Sequence, residues 1–338
     1  MSSMSKFSIL KLPILCADSI LCSFEIYYLI CFSTLSKRCY RLVKTLRNTL
    51  TGINVDVGKW AVVSFRKNDE TVGSWSLTQK KGIVITKMSP PNEGKRYYPC
   101  LTKEKDPKLS VKAGIKHLLN LFKLTTVHYF IINAHYVPQN FNVLVVDKCE
   151  KLQITGSQPV TNDRLAYIIY NTITDRVIFG KTEPNFELDT ERFKVKQLFF
   201  CNECLWFTGE MMLKLNFSIL RMAQTTIRAN DSVEFVNNWM NSNNTEIECV
   251  MLTGPSQNFT SYDIFEHLGL RMWNENQRSR YFPITGNLVM DLKVGVDIKR
   301  KDGLWATIRV FHDGFFFCVW HNRFHDVTGK RIFMQVED

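Results

Sequence analysis

Phe217-Ser218-Ile219-Leu220-Arg221-Met222, then Ser232 to Met240, then Ile247 to Leu252 is the stretch that decides the fold. The two outer runs are short and apolar, as buried strands are. The middle one reads as a helix, with Asn230-Asp231 as its natural start. The same order extends backwards. Val195 to Phe200 is a strand and Thr208 to Leu215 a helix, Val127 to Ile132 and Asn142 to Val146 are strands, and Arg164 to Thr172 is a helix. Before them Val111, Ile115, Leu118, Leu119 and Phe122 make one helix face, with Ser110 as its cap. Forwards, Tyr262 to Leu268 is a helix. Strand, loop and helix recur at roughly 20–30 residues, the period of leucine-rich-repeat solenoids, although the strict leucine consensus is absent. This alternation implies a mainly parallel sheet with helices outside it.

Both ends differ from this middle. Val296 to Arg300, Leu304 to Val310 and Phe315 to Trp320 are β-rich runs separated by Asp302-Gly303 and Asp313-Gly314. Asp-Gly between apolar runs is a strong hairpin signal, so a three-stranded antiparallel meander is expected to close the sheet. Phe315-Phe316-Phe317 is read as core packing rather than a stacking platform for bases. Upstream, Lys59 to Arg66, Ser74 to Leu77 and Gly82 to Lys87 read as a small antiparallel meander, followed by a loop at Ser89 to Gly94. The first fifty residues hold no glycine and end in a helical run, with Leu35, Cys39, Leu42, Val43, Leu46 and Leu50 at helical spacing. Ser33 or Thr34 is expected to cap that helix and Gly52 to end it in the left-handed conformation.

Composition narrows the function classes. In 338 residues, hydrophobic side chains are 45% and aromatics 12%, which excludes a disordered scaffold. The longest stretch free of Asp, Glu, Lys and Arg, Leu124 to Val146, contains Asn133, His135, Pro138 and Asn140 and cannot span a bilayer. Lys11, Pro13, Asp18 and Glu25 interrupt the apolar start, so no signal peptide is read there. An intracellular protein, cytoplasmic or nuclear, with reduced thiols and no membrane association is expected. The Asn-x-Ser/Thr triplets at Asn216, Asn230, Asn243 and Asn258 are then chance matches.

No signature of catalysis emerges: there is no Gly-rich phosphate loop, Gly-x-Ser-x-Gly or His-Glu-x-x-His. Cys201-Asn202-Glu203-Cys204 lacks a second ligand pair nearby, His321 and His325 lying far downstream. Asp231, Glu234, Glu246 and Glu248 are read as ordinary surface or capping carboxylates. No catalytic residue, metal or cofactor is expected. The net charge of +11 admits nucleic acid as a partner through the basic helix Lys37 to Arg47. A solvated outer face is the simpler use of those cations.

The informative constellation is amino-terminal. Leu12-Pro13 opens it, Ile20 and Phe24 follow, then Leu29 and Phe32, then Leu35-Ser36-Lys37-Arg38 with Arg41-Leu42. This resembles an F-box. The carboxy-terminal half is similar to the type 2 F-box-associated domain of an expanded set of nematode F-box proteins. The likeness rests on Ser218-Ile219-Leu220, Thr225-Thr226-Ile227, the Asn230-to-Trp239 helix, Gly295 to Arg300, Asp302-Gly303, Ala306-Thr307-Ile308 and Phe317 to Trp320. Gly114 to Ile132 resembles the middle region of the same family.

The resemblance implies an α/β protein with a three-helix F-box at 7–52, a small β meander or linker at 53–100, a degenerate leucine-rich-repeat-like α/β region at 101–290 and a β meander at 291–325. It implies a non-catalytic, substrate-recruiting subunit of an SCF-type (Skp–cullin–F-box) ubiquitin ligase. A Skp-family adaptor, and through it a cullin, would bind at Leu12, Pro13, Ile20, Phe24, Leu29 and Leu35, and an unknown protein substrate at the carboxy-terminal region. The physics fits: Ile9, Leu10, Leu15, Ile20, Leu21, Ile26, Ile30 and Phe32 are more apolar side chains than three short helices can hide among themselves.

Overall fold

The computed structural model describes residues 9–46, 50–58, 61–68, 70–80, 83–89, 100–102, 107–136, 146–200, 204–224, 226–254, 263–275, 278–285, 288–321 and 331–333. The expected loop at 90–94, the strand at 142–145, Cys201 to Glu203 and His325 lie outside them, as does the side chain of Ser110. The chain is α/β and forms two compact units, one of residues 1–155 with 171–174 and one of 156–170 with 175–338.

The first unit begins with a 3-10 turn, Ile9–Lys11, and three helices, α1 (Ile14–Cys22), α2 (Ile26–Leu35) and α3 (Lys37–Thr45). Strands β1 (Gly52–Val57), β2 (Ala61–Lys67), β3 (Glu70–Lys80), β4 (Ile83–Ser89) and β5 (Cys100–Thr102) follow, then α4 (Pro107–Leu121), β6 (Val127–Asn133) and β7 (Cys149–Thr155). The sheet order is β7-β6-β1-β2-β3-β4-β5. β1, β6 and β7 are parallel neighbours, and β1 to β5 form an antiparallel meander.

Strand β1 corrects one expectation. Gly52 does not end a helix; it opens a strand whose Ile53 and Val55 are buried on one face, while half-buried Asn54 and exposed Asp56 lie on the other. This period-two pattern was present in the sequence. The helix cap is corrected too. The Ser36 hydroxyl, not Ser33 or Thr34, accepts the backbone N–H of Cys39, at 3.1 Å, because α2 runs through those two positions. Helix α4 sits close on β3 at Gly114, where a Cβ would meet the Trp75 ring at 2.6 Å.

The second unit contains α5 (Asn162–Asn171), β8 (Arg176–Phe179), β9 (Gln197–Phe200), α6 (Gly209–Lys214), β10 (Ile219–Met222), α7 (Ala229–Asn241) and β11 (Cys249–Thr253). It continues with β12 (Arg271–Met272), β13 (Tyr281–Thr285), β14 (Leu288–Asp291), β15 (Val296–Lys299), β16 (Trp305–Phe311), β17 (Gly314–Val319) and β18 (Arg331–Phe333). The helix read at Tyr262 to Leu268 is a 3-10 helix over Asp263–Leu268. β8 to β11 are adjacent, parallel and in chain order, with Arg176 opposite Gln197, Gln197 opposite Ile219 and Ile219 opposite Cys249. The expected meander is present: β15, β16 and β17 pair antiparallel, and β17 runs antiparallel along β11. Gly303, with φ of +94°, supplies the left-handed residue of the first turn. Gly314 serves differently, since a side chain there would collide with the Phe311 ring.

Strand β17 is buried along its whole length. Phe317 packs edge-on to Phe235 and Trp239 of α7, and Phe316 edge-on to Phe282 of β13. A second, three-stranded sheet, β13-β14-β18, therefore covers one face, closing a core of Phe199, Ile219, Met251, Phe282, Met290, Phe316 and Trp320. Charge is buried with it. Asp297 receives both Nε bonds of Arg278, at 2.8 and 3.0 Å, and the Thr307 hydroxyl at 2.6 Å, while the Trp320 indole donates to Thr307 at 2.7 Å. Arg278 and Asp297 are 4% and 3% exposed, so only this complete pairing makes their desolvation tolerable.

Candidate functional site

The three amino-terminal helices form from short apolar runs with clear stops. Pro13 precedes α1 with φ of −54° and ψ of 146°; it needs no N–H there, and its carbonyl accepts the Ala17 amide at 3.0 Å. Ser23 closes α1, its hydroxyl donating to the Ile20 carbonyl at 2.7 Å. Ser36 ends α2 and caps α3 in one residue, so those helices meet without a loop.

The inward side of the three helices holds Ala17, Leu21, Ile26, Tyr27, Leu29, Ile30, Cys39 and Val43. The outward side is apolar as well. Ile14 is 59% exposed, Leu15 79% and Leu35 73%, with Phe24 and Tyr28 also exposed. Phe24 and Tyr28 stack edge to face with centroids 6.2 Å apart. On α2, Tyr28, Cys31 and Leu35 are all exposed and recur at three and four residues, one stripe of the helix. The ten residues of α2 include no charged side chain. A helix apolar all round belongs in an interior, and an exposed cluster of this kind marks an interaction surface.

Among the sequence-derived candidates, Pro13, Phe24 and Leu35 are exposed, Leu12 and Ile20 are partly buried, and Leu29 is buried within the unit. Ile14 and Tyr28 join the exposed group without having been singled out in the sequence; the apolar spacing Phe24-Tyr28-Cys31-Leu35 would have found Tyr28.

The residues weighed for chemistry hold structural posts. The Cys204 thiol approaches the Thr182 hydroxyl at 3.9 Å, and burial raises its pKa to about 12, so it stays protonated. His321 donates from Nε2 to the Ile247 carbonyl at 2.6 Å. Asp231 accepts the Arg228 amide at 2.7 Å and caps α7, and Glu246 pairs with Lys196, which holds its carboxyl below the usual range. Among the described residues no group of three or more His, Cys, Asp and Glu side chains is placed to hold a metal ion. Nor is any described helix long and apolar enough to cross a membrane.

Residues 9–51 match the F-box domain. F-box domains bind Skp-family adaptors and through them cullins, and in general they mark non-catalytic substrate-recognition subunits of SCF-type ubiquitin ligases. The matched segment of this chain is the three-helix region with the outward apolar surface. An uncharacterized protein of Caenorhabditis elegans, F59B2.8, is 24% identical to the chain over 95% of its length and 79% of the relative's. No solved structure matches.

Proposed function

We propose that the chain is the substrate-recognition subunit of an SCF-type ubiquitin ligase. Its F-box docks a Skp-family adaptor, and its carboxy-terminal region, read as a type 2 F-box-associated domain with a degenerate leucine-rich-repeat-like middle, receives a protein substrate. The observation that carries this reading is the apolar surface left open on α1 and α2 of a segment that matches the F-box domain. Pro13, Phe24 and Leu35, with Ile14 and Leu15, would lie in the adaptor interface. Leu12, Ile20 and Leu29 would act partly from beneath, fixing the helices that present them. Pro13 pre-sets the backbone at the entrance and so lowers the ordering cost of docking.

The function is proximity rather than chemistry. Holding a substrate lysine beside a charged conjugating enzyme converts a bimolecular encounter into an intramolecular one at high effective concentration.

Pull-down with a Skp-family adaptor tests the reading. Wild type is expected to retain the adaptor and to co-purify a cullin, and Leu12→Ala with Pro13→Ala to lose most of that binding. Leu15→Ser with Leu35→Ser, both on exposed positions, guards against simple unfolding and is expected to lose it as well. Undiminished binding by both double variants would end the proposal, and adaptor binding without cullin would reduce it to an interaction module.

A further inference from the structure

A second surface of the first unit carries the opposite chemistry. Ser33, Thr34, Ser36, Lys37, Tyr40, Arg41, Lys44 and His117 line an open groove of about 690 Å³ between the end of α2, one face of α3, and α4. Lys37, Arg41 and Lys44 recur at four and three residues and so share a face of α3. Among the described residues no carboxylate lines the groove. Among the described residues none of the three cations has an ion-pair partner; Lys44 lies over the Tyr40 ring at 5.8 Å.

The floor of the groove is fixed. The buried Ser33 hydroxyl donates to the Ile30 carbonyl at 2.6 Å, so it accepts from His117 Nε2 at 3.1 Å. The tautomer of His117 follows, with its proton on Nε2. Helix α3 is also electrostatically incomplete. It begins Lys37-Arg38 and has no acidic residue in its first turn, whereas the partial positive charge of a helix start favours anions. An anion along this face would offset both the side-chain charge and the misplaced helix dipole.

We propose that this groove binds a short, extended segment of a partner protein carrying clustered negative charge, as carboxylates or phosphoryl groups. Lys37 and Lys44 are about 10 Å apart along the helix at 1.5 Å per residue. A peptide in the extended polyproline II conformation covers that distance in three residues at about 3.1 Å each, and its three-residue turn returns the first and fourth side chains to the same face. Two anionic side chains three positions apart therefore meet the two lysines, with the Arg41 guanidinium between them able to hold an oxyanion bidentately. Nucleic acid fits less well. A track this short neutralises about three phosphates, below the six to ten contacts from which DNA-binding proteins draw their affinity.

Fluorescence polarisation on the full chain tests this with a labelled peptide bearing two phosphoserines three positions apart, its aspartate counterpart and its serine counterpart. The two anionic peptides are expected to bind, with affinity falling as salt rises, and the serine peptide not to bind. Arg41→Gln should weaken binding about tenfold, the loss of one charge-assisted hydrogen bond. Arg41→Lys should recover part of it, and Lys37→Gln with Arg41→Gln and Lys44→Gln should abolish it. An unchanged thermal midpoint and retained adaptor pull-down in these variants separate a failure here from misfolding and from failure of the F-box reading. The proposal is overturned if neither anionic peptide binds, if the triple variant binds them like wild type, or if an oligonucleotide of equal charge binds more tightly than both through the same three cations.

Discussion

The amino-terminal helices and the carboxy-terminal meander break the usual rule of apolar inside and charged outside in opposite directions. The helices leave Ile14, Leu15 and Leu35 in water, with Lys37, Arg41 and Lys44 of α3 lining a groove. The meander and the strands beside it bury Arg278, Asp291, Asp297, Arg300 and Arg309. Each buried charge there has partners: Arg280 holds Asp291 through three hydrogen bonds, and Arg300 bonds the Trp239 and Asn244 carbonyls as well as Asp302. Exposed apolar area awaiting a partner is a binding device, whereas satisfied buried charge fixes one arrangement of strands. The two regions should therefore answer mutation in opposite currencies, affinity and stability.

The sharpest test lies in the meander. Asp297→Ala strands the Arg278 guanidinium and the Thr307 hydroxyl in the core, and chemical denaturation should show a loss of about 3–5 kcal/mol. If adaptor pull-down of the surviving folded protein fell with it, the separation of the two roles would break. Gly114→Val comes next. Its side chain must displace the Trp75 ring under α4, and denaturation should register about 1–3 kcal/mol, the usual cost of overpacking. The counterpart on the helices is Leu35→Ser, expected to change stability by no more than about 0.5 kcal/mol while adaptor affinity drops at least about tenfold as for a buried interface residue. A large stability loss in that variant would show that Leu35 serves the fold of the chain itself.

The smallest effect is a pH dependence. Burial lowers the pKa of His117 below its ordinary 6.5. The unfolded chain therefore takes up its proton first, and stability falls as pH drops through 6.5 toward the folded value. His117→Asn should flatten that part of a denaturation-midpoint profile, and an unchanged profile would mean another group governs it.

Much of this architecture could be read from the sequence. Leu12-Pro13 and the apolar spacing through Leu42 located three helices, and the two Asp-Gly pairs placed both turns of the β15-β16-β17 meander. The misses have particular causes. Thr51-Gly52 looked like a helix stop, which hid the alternation of Ile53 and Val55 that makes β1. The small sheet was invisible because nothing local says that Phe282 and Met290 cover Phe316 across the core. The buried charges were equally hidden: Arg278 and Asp297 are nineteen positions apart, and only the fold makes them neighbours. Of the interaction surface, the residues were legible but their exposure was not, and His117, eighty-four positions from Ser33, gave no signal of joining a groove.

The pairing of β11 with β17 has a consequence for synthesis. Val250 waits for Phe317, so the parallel strands emerge from the ribosome with a bare edge and with Trp239 uncovered on one side. A nascent chain stopped anywhere before Gly314 would keep both, the condition in which partly made sheets aggregate. A premature stop just before Gly314 should thus be as damaging as one just after Thr253.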